Sequence, residues 1–216
     1  KDVWFRYDEK TPWVLKSVNF VIDAQKKIGI IGATGSGKST ISKLLMGIYK
    51  PSKGNIKIDG IPIKEYNRNS LSAIFGYVSQ DIFLFSDTVK NNILIGANSQ
   101  SDYNNLNAVI ICSELENEIN SFPNGIETVL GERGITLSGG QKQRMSIARA
   151  LIRKPSVLLL DNGLSAVDTK TELKLKQNIK SWNTDNTTIF ISHRISTVQD
   201  CDHIIFLDQG KIIKSG

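Results

Sequence analysis

Apolar positions fall into short runs whose spacing changes along the chain from strand-like to helix-like and back. Residues 3–7 and 17–22 are runs of strand length, separated by a polar, proline-containing stretch, DEKTPW, that reads as a turn. KKIGIIG is a continuous apolar strand that ends in glycine. From Ser39 the period lengthens, because Ile41, Leu44, Leu45 and Ile48 share one helical face, and the pattern stops before Pro51. NIKIDG, residues 55–60, alternates as a strand and closes on a glycine turn, and residues 74–78 form another strand. From 86 to 150 helices dominate: SDTVKNNI opens with capping residues, and residues 104–115 carry apolar side chains at helical spacing. The chain then returns to strands and helices. VLLLD is a buried strand, residues 170–182 a mostly polar helix, TTIFISH a strand, and HIIFLD with KIIK a hairpin across QG. A strand, a glycine loop, a helix and a later apolar strand ending in Asp describe an α/β fold, a mostly parallel sheet wrapped by helices.

At 216 residues the simplest arrangement is one domain with a smaller subdomain, and no linker-like tract divides it. With 40% apolar and 22% charged residues, the composition excludes a disordered or fibrous chain. The longest apolar runs, 157–160 and 204–207, are far shorter than a bilayer span, so any tie to a membrane lies outside these residues. The opening KDVWFRYDEK mixes charge with aromatics and reads as an edge strand rather than a signal peptide. Cys112 and Cys201 lack metal-ligand spacing and read as free thiols in a reducing compartment. The net charge of +6 raises nucleic acid as a partner, but the basic residues are scattered and interleave with acids over 169–180, so no nucleic-acid role is expected.

Residues 32–39, GATGSGKS, satisfy G-x-x-x-x-G-K-[ST] between a predicted strand and a predicted helix. Gly32, Gly35 and Gly37 let the backbone turn with its N–H groups inward. Together with Thr34, Ser36 and Thr40 they form an anion cradle at a helix N-terminus. Lys38 then reaches the β- and γ-phosphates of ATP, and the Ser39 hydroxyl ligates Mg²⁺. Asp161, ending VLLLD, is placed to hold Mg²⁺ directly or through water; the bland alternative is a surface aspartate at a strand end.

LSGGQKQR, residues 137–144, supplies a second helix start, with Ser138 as cap and Gly139 and Gly140 leaving exposed N–H groups. Alone it is an anion site with no stated partner. Combined with the phosphate loop, LSGGQ resembles the signature of the ATP-binding cassette family, and the resemblance covers essentially the whole chain. It implies a P-loop NTPase (RecA-like) core with an N-terminal antiparallel β subdomain, in residues 1–80 and 151–216, and a helical signature subdomain in 81–150. By the same resemblance Tyr7 stacks on adenine, although a strand aromatic is also ordinary packing. Gln80 senses Mg²⁺ and the γ-phosphate, beside a surface that docks on membrane-domain coupling helices. Ser138, Gly139 and Gly140 face the γ-phosphate held by an opposite subunit, SAVD at 165–168 crosses the dimer interface, and His193 in ISHR is the switch histidine. His193 also follows an apolar strand at its carboxyl end, where an imidazole can meet a phosphate or water. VLGERG, 129–134, resembles a segment of cassettes that export, favouring an exporter over an importer; Glu132 and Arg133 otherwise read as a solvated turn.

The family normally places Glu after the strand-terminal Asp, where this chain has Asn162. An amide can orient water but lacks basicity, so weak intrinsic hydrolysis is expected with ATP binding kept. The departure resembles the degenerate-site half of bacterial heterodimeric multidrug exporters; a deliberate replacement that traps ATP is the other origin. The resemblance thus implies a second, non-identical nucleotide-binding domain and the transmembrane domains of an exporter as partners, at the cytoplasmic face of the cell membrane. A self-sufficient homodimer, a binding-only regulatory cassette and a soluble cassette of DNA repair or translation remain as alternatives.

Overall fold

The computed structural model describes residues 1–131, 137–182 and 184–216. In chain order the strands are β1 (Val3–Phe5), β2 (Leu15–Val18), β3 (Lys27–Ile31), β4 (Lys57–Ile58), β5 (Ile61–Pro62), β6 (Phe75–Val78), β7 (Val157–Asp161), β8 (Thr187–Ser192), β9 (His203–Asp208) and β10 (Lys211–Ser215). The α helices are α1 (Lys38–Leu45), α2 (Arg68–Ile74), α3 (Val89–Leu94), α4 (Leu106–Cys112), α5 (Glu116–Ser121), α6 (Gly139–Leu151), α7 (Thr169–Trp182) and α8 (Ile195–Val198). They gather into two compact units, Lys1–Phe75 with Thr187–Gly216, and Gly76–Asn186.

In the first unit β1 and β2 form an antiparallel pair, with Val3 opposite Val18 and Phe5 opposite Leu15, all buried. Four strands neighbour one another in the order β10-β9-β3-β8. The central β3 runs parallel to β8 and β9, and β10 returns antiparallel to β9. The β9–β10 hairpin turns on Gln209 (φ 45) and Gly210 (φ 80), the paired left-handed residues that a two-residue turn of matching twist needs.

Two strand and helix limits differ from the sequence reading. β2 begins at Leu15 and ends at Val18, because Leu15 is the side chain that fills the space against Phe5, whereas Val21 is 72% exposed. α1 ends at Leu45, so Ile48 is not on its face: Gly47 takes φ 68, its N–H reaches Leu44 O (3.1 Å) and Ile48 N–H reaches Lys43 O (2.9 Å), a glycine stop that leaves Ile48 exposed. α2, capped by Asn67 accepting from Ser70 N–H at 2.8 Å, was not anticipated, since Leu71 is its one buried residue and so no period shows.

In the second unit β6 and β7 are neighbours, and α6 packs against α3 and α4 through buried Met145, Ile147, Ala148 and Leu151. Thr88 caps α3 by accepting from Asn91 N–H (3.0 Å), as the capping residues predicted. Both cysteines are free, and burial pushes the Cys112 thiol up to about 12. Among the described residues no helix is long and apolar enough to cross a membrane.

Candidate functional site

In the first unit β3 delivers the chain into the phosphate loop. Gly32 is obligatory there: a Cβ would lie 2.0 Å from Leu207 O on β9 and 2.8 Å from Ser36 Oγ. Gly35 (φ 81) and Gly37 (φ 105) take left-handed conformations that side-chain-bearing residues rarely adopt. Gly37 is the N-cap of α1 and offers no side-chain cap, so the positive end of that helix opens onto the loop. Lys38 is buried and its Nζ donates to Gly32 O and Ala33 O, both at 2.8 Å, which curls the ammonium over the loop. The buried Ser36 Oγ has no hydrogen-bond partner among the described residues. An orphaned hydroxyl, a helix start without a side-chain cap and a buried ammonium gather donors and positive charge in one loop, and a polyphosphate fits them.

Tyr7 is half exposed and shares a 3.0 Å hydrogen bond between its hydroxyl and Thr40 Oγ1. Its ring meets Phe5 and Tyr49 edge-on at 5.0 and 5.3 Å. A cavity of about 440 Å³ opens beside it, lined by Trp13, Val14, Gly35 and Gln209 among others, so a flat apolar ligand has aromatic walls next to the loop. His193 is exposed. The parallel register sets Ser192 opposite Ile31, so His193 leaves β8 level with Gly32, where β3 enters the loop.

In the second unit Asp161 ends β7 buried, and Asn162 follows with φ 53. The Asn162 Nδ2 donates to Gln80 Oε1 at 3.1 Å, bringing together two of the predicted site residues. Ser138 and Gln141 close a capping box on α6: Gln141 N–H reaches Ser138 Oγ at 3.2 Å, and Ser138 N–H reaches Gln141 Oε1 at 2.9 Å. Gly139 and Gly140 allow Ala166 to lie close, since a Cβ on Gly140 would be 3.1 Å from Ala166 O. Asp168 accepts from Thr171 N–H at 3.0 Å, and bonds from the Thr171 side chain and backbone hold its carboxyl below the usual range. The second half of VLGERG, including Glu132 and Arg133, lies outside the described residues. Among the described residues no cluster of three or more His, Cys, Asp or Glu could hold a metal ion alone. Ser39 in the first unit carries a hydroxyl, and Asp161 and Gln80 in the second carry a carboxylate and an amide, each an oxygen donor of the kind that Mg²⁺ takes.

Sequence reasoning missed three polar side chains of this unit, buried Asn92 and Gln143 and half-buried Arg149. Asn92 donates to Phe85 O and Thr88 O, each at 3.0 Å, and accepts from Phe85 N–H at 2.9 Å. Arg149 on α6 donates to Asn92 O (2.8 Å) and Phe83 O (2.9 Å), and burial lowers its guanidinium from the usual value. These bonds fix the segment after Gln80 while Phe83 and Phe85 stay exposed, edge to face at 4.9 Å. Gln143, on α6, is the third.

Phosphate loop, signature helix and strand arrangement define a class. The pattern of the family described as ABC transporter matches residues 15–165, and the chain belongs to that family. Its mixed α/β core, antiparallel β1–β2 subdomain and separate helical region are that family's ATPase fold. In particular, the chain is similar to the multidrug resistance-like ATP-binding protein MdlA of Buchnera aphidicola, 43% identical over 214 residues, which are 99% of this chain and 37% of that protein. It is also similar to the ATP-dependent lipid A-core flippase of Alkalilimnicola ehrlichii, 37% identical over 214 residues, 99% of this chain and 36% of that one. A solved structure, a bacterial Atm1-family ABC exporter with ATP bound, matches with a TM-score of 0.94 and 40% identity over 100% of this chain and 38% of that chain. The chain therefore spans between 36% and 38% of the length of these relatives.

Proposed function

We propose that this chain is the nucleotide-binding domain of an exporter, binding Mg-ATP at the loop of residues 32–40 and pairing head to tail with a second, non-identical domain to power transport. The observation that carries the reading is the loop itself, with buried Lys38 and an orphaned Ser36 hydroxyl at the uncapped start of α1. Lys38 and the loop N–H groups bind the β- and γ-phosphates, and Tyr7 stacks on the adenine. Ser39, Asp161 and Gln80 would hold Mg²⁺, which would offset the negative charge of the phosphates when bound. His193 holds the γ-phosphate or the attacking water by hydrogen bonding. Ser138, Gly139 and Gly140 present N–H groups to the nucleotide of the partner, stabilising charge as water attacks in line.

Asn162 is the weak point of the chain's own site. Its amide is bonded to Gln80 and has no basicity, so a proton from the attacking water has no acceptor there. The partner's site, completed by this chain's intact signature, carries the turnover. Exposed Phe83 and Phe85 are the docking surface for coupling helices of membrane domains at the cytoplasmic face. Intact-mass analysis of the native complex tests the pairing: it is expected to hold one copy of this chain with a different cassette subunit, and two identical copies contradict it.

A further inference from the structure

We propose that Gln143 is a positioning residue that ties the signature helix to the loop running from Asn162 to Asp168, so that the two move as one body. Leu164 and Val167 are buried, but Ser165 and Ala166 between them are exposed, so packing leaves that turn of backbone to be held by hydrogen bonds. Gln143 lies on α6 shortly after the Ser138 cap, and is 3% exposed. Its Nε2 donates to Asn162 O and to Ser165 Oγ, each at 3.0 Å, and its Oε1 accepts from Ala166 N–H at 2.7 Å. The amide has only one workable orientation, because turning it over would set an NH₂ against the Ala166 N–H and an oxygen against the Asn162 carbonyl.

The contact is closed on the other side by the signature glycines. A Cβ on Gly139 would sit 3.4 Å from Ala166 Cβ, and one on Gly140 3.1 Å from Ala166 O, so larger residues would press on the same stretch that Gln143 holds. Asn162, held at its carbonyl by Gln143, takes φ 53 and directs its side chain to Gln80. This proposal rests on the head-to-tail reading above, under which the N-terminus of α6 faces the partner's ATP and Asn162 faces the chain's own. Gln143 then links the placement of the two ends, and a shift of the signature on one nucleotide is carried to the loop at the other.

The test uses the full-length transporter with its native partner in lipid nanodiscs, comparing wild type with Gln143→Met, which keeps the volume without the hydrogen bonds, and Gln143→Glu, which keeps an acceptor for Ala166 N–H. Amide exchange at Ala166 should quicken by roughly tenfold in the Met variant and by less in the Glu variant, which keeps the acceptor for Ala166 N–H but sets an oxygen against the Asn162 carbonyl. In the Met variant kcat should fall between about 10- and 100-fold while KM for ATP changes less than about threefold, because the phosphate loop is untouched. A Met variant with unaltered kcat and unaltered Ala166 exchange overturns the proposal. A general rise in exchange along α6, with kcat and ATP affinity falling in parallel, overturns it in favour of a merely structural role. If the wild-type complex binds no ATP, the functional reading and the linkage fall together, whereas unchanged Ala166 exchange in an ATP-binding complex overturns the clamp alone.

Discussion

Lys38→Ala is expected to weaken ATP binding by about 100-fold or more. The Lys38 Nζ is buried and within 2.8 Å of two loop carbonyls, so it carries the one mobile positive charge that the loop can turn toward a phosphate. A hydrogen bond to a charged group contributes roughly 1.5–3 kcal/mol, and an ammonium reaching two phosphate oxygens contributes about 3 kcal/mol or more after its bonds to Gly32 O and Ala33 O are given up. The N–H groups of the loop and of α1 survive the substitution, which sets the residual affinity. Removing a buried cation should leave the unfolding midpoint close to wild type, separating lost binding from lost fold. Calorimetric titration with ATP and Mg²⁺ measures the change, and an affinity within twofold of wild type would falsify the assignment of the loop.

Asn162→Glu should raise hydrolysis by about 10²- to 10⁴-fold, the usual contribution of a positioned general base. The gain depends on a local rearrangement. Asn162 now donates to Gln80 Oε1 at 3.1 Å, and a carboxylate cannot donate. The Gln80 amide must therefore turn its N–H toward the new carboxylate, leaving the second carboxylate oxygen for water. Position 162 also has φ 53, a left-handed conformation that Asn tolerates better than Glu, so the variant should lose about 1 kcal/mol of stability while it gains rate. Steady-state phosphate release across a series of protein concentrations reads both the rate and its dependence on domains meeting. A variant as slow as wild type would mean that the missing base is not what limits this site.

The parts of the site that were legible in the sequence are those whose chemistry is local. The loop of residues 32–40 needs glycines at left-handed positions and a lysine at the start of a helix, and these stand within nine consecutive residues. The same holds for Ser138 and Gln141, three residues apart in one capping box. What stayed hidden depends on partners distant in the chain. Arg149 reaches Phe83 across 66 residues and Asn162 reaches Gln80 across 82, and a polar side chain that bonds to backbone groups leaves no periodic trace. Gln143 was visible only as one letter of LSGGQKQR, with no hint that three hydrogen bonds converge on it.

The same division runs through the fold. β3, β7 and β8 are continuous apolar runs and could be recognised because their strands are buried along most of their length. β2 was misplaced because the apolar residues after it, such as Val21, are exposed, so hydrophobicity continued where the pairing did not. Ile48 extended the helical period of α1 past a glycine whose left-handed conformation, not its neighbours' polarity, ends the helix.

The fate of bound ATP tests the central claim most directly. The full-length chain without its partner would be loaded with radiolabelled ATP and Mg²⁺, separated from free nucleotide, and the retained nucleotide identified over time. A chain that binds ATP through Lys38 but lacks a base at Asn162 should hold intact ATP long after an ordinary enzyme, turning over at about 10 s⁻¹, would have converted it. Recovery of ADP and phosphate on that ordinary time scale would contradict the account and return a self-sufficient homodimer to first place.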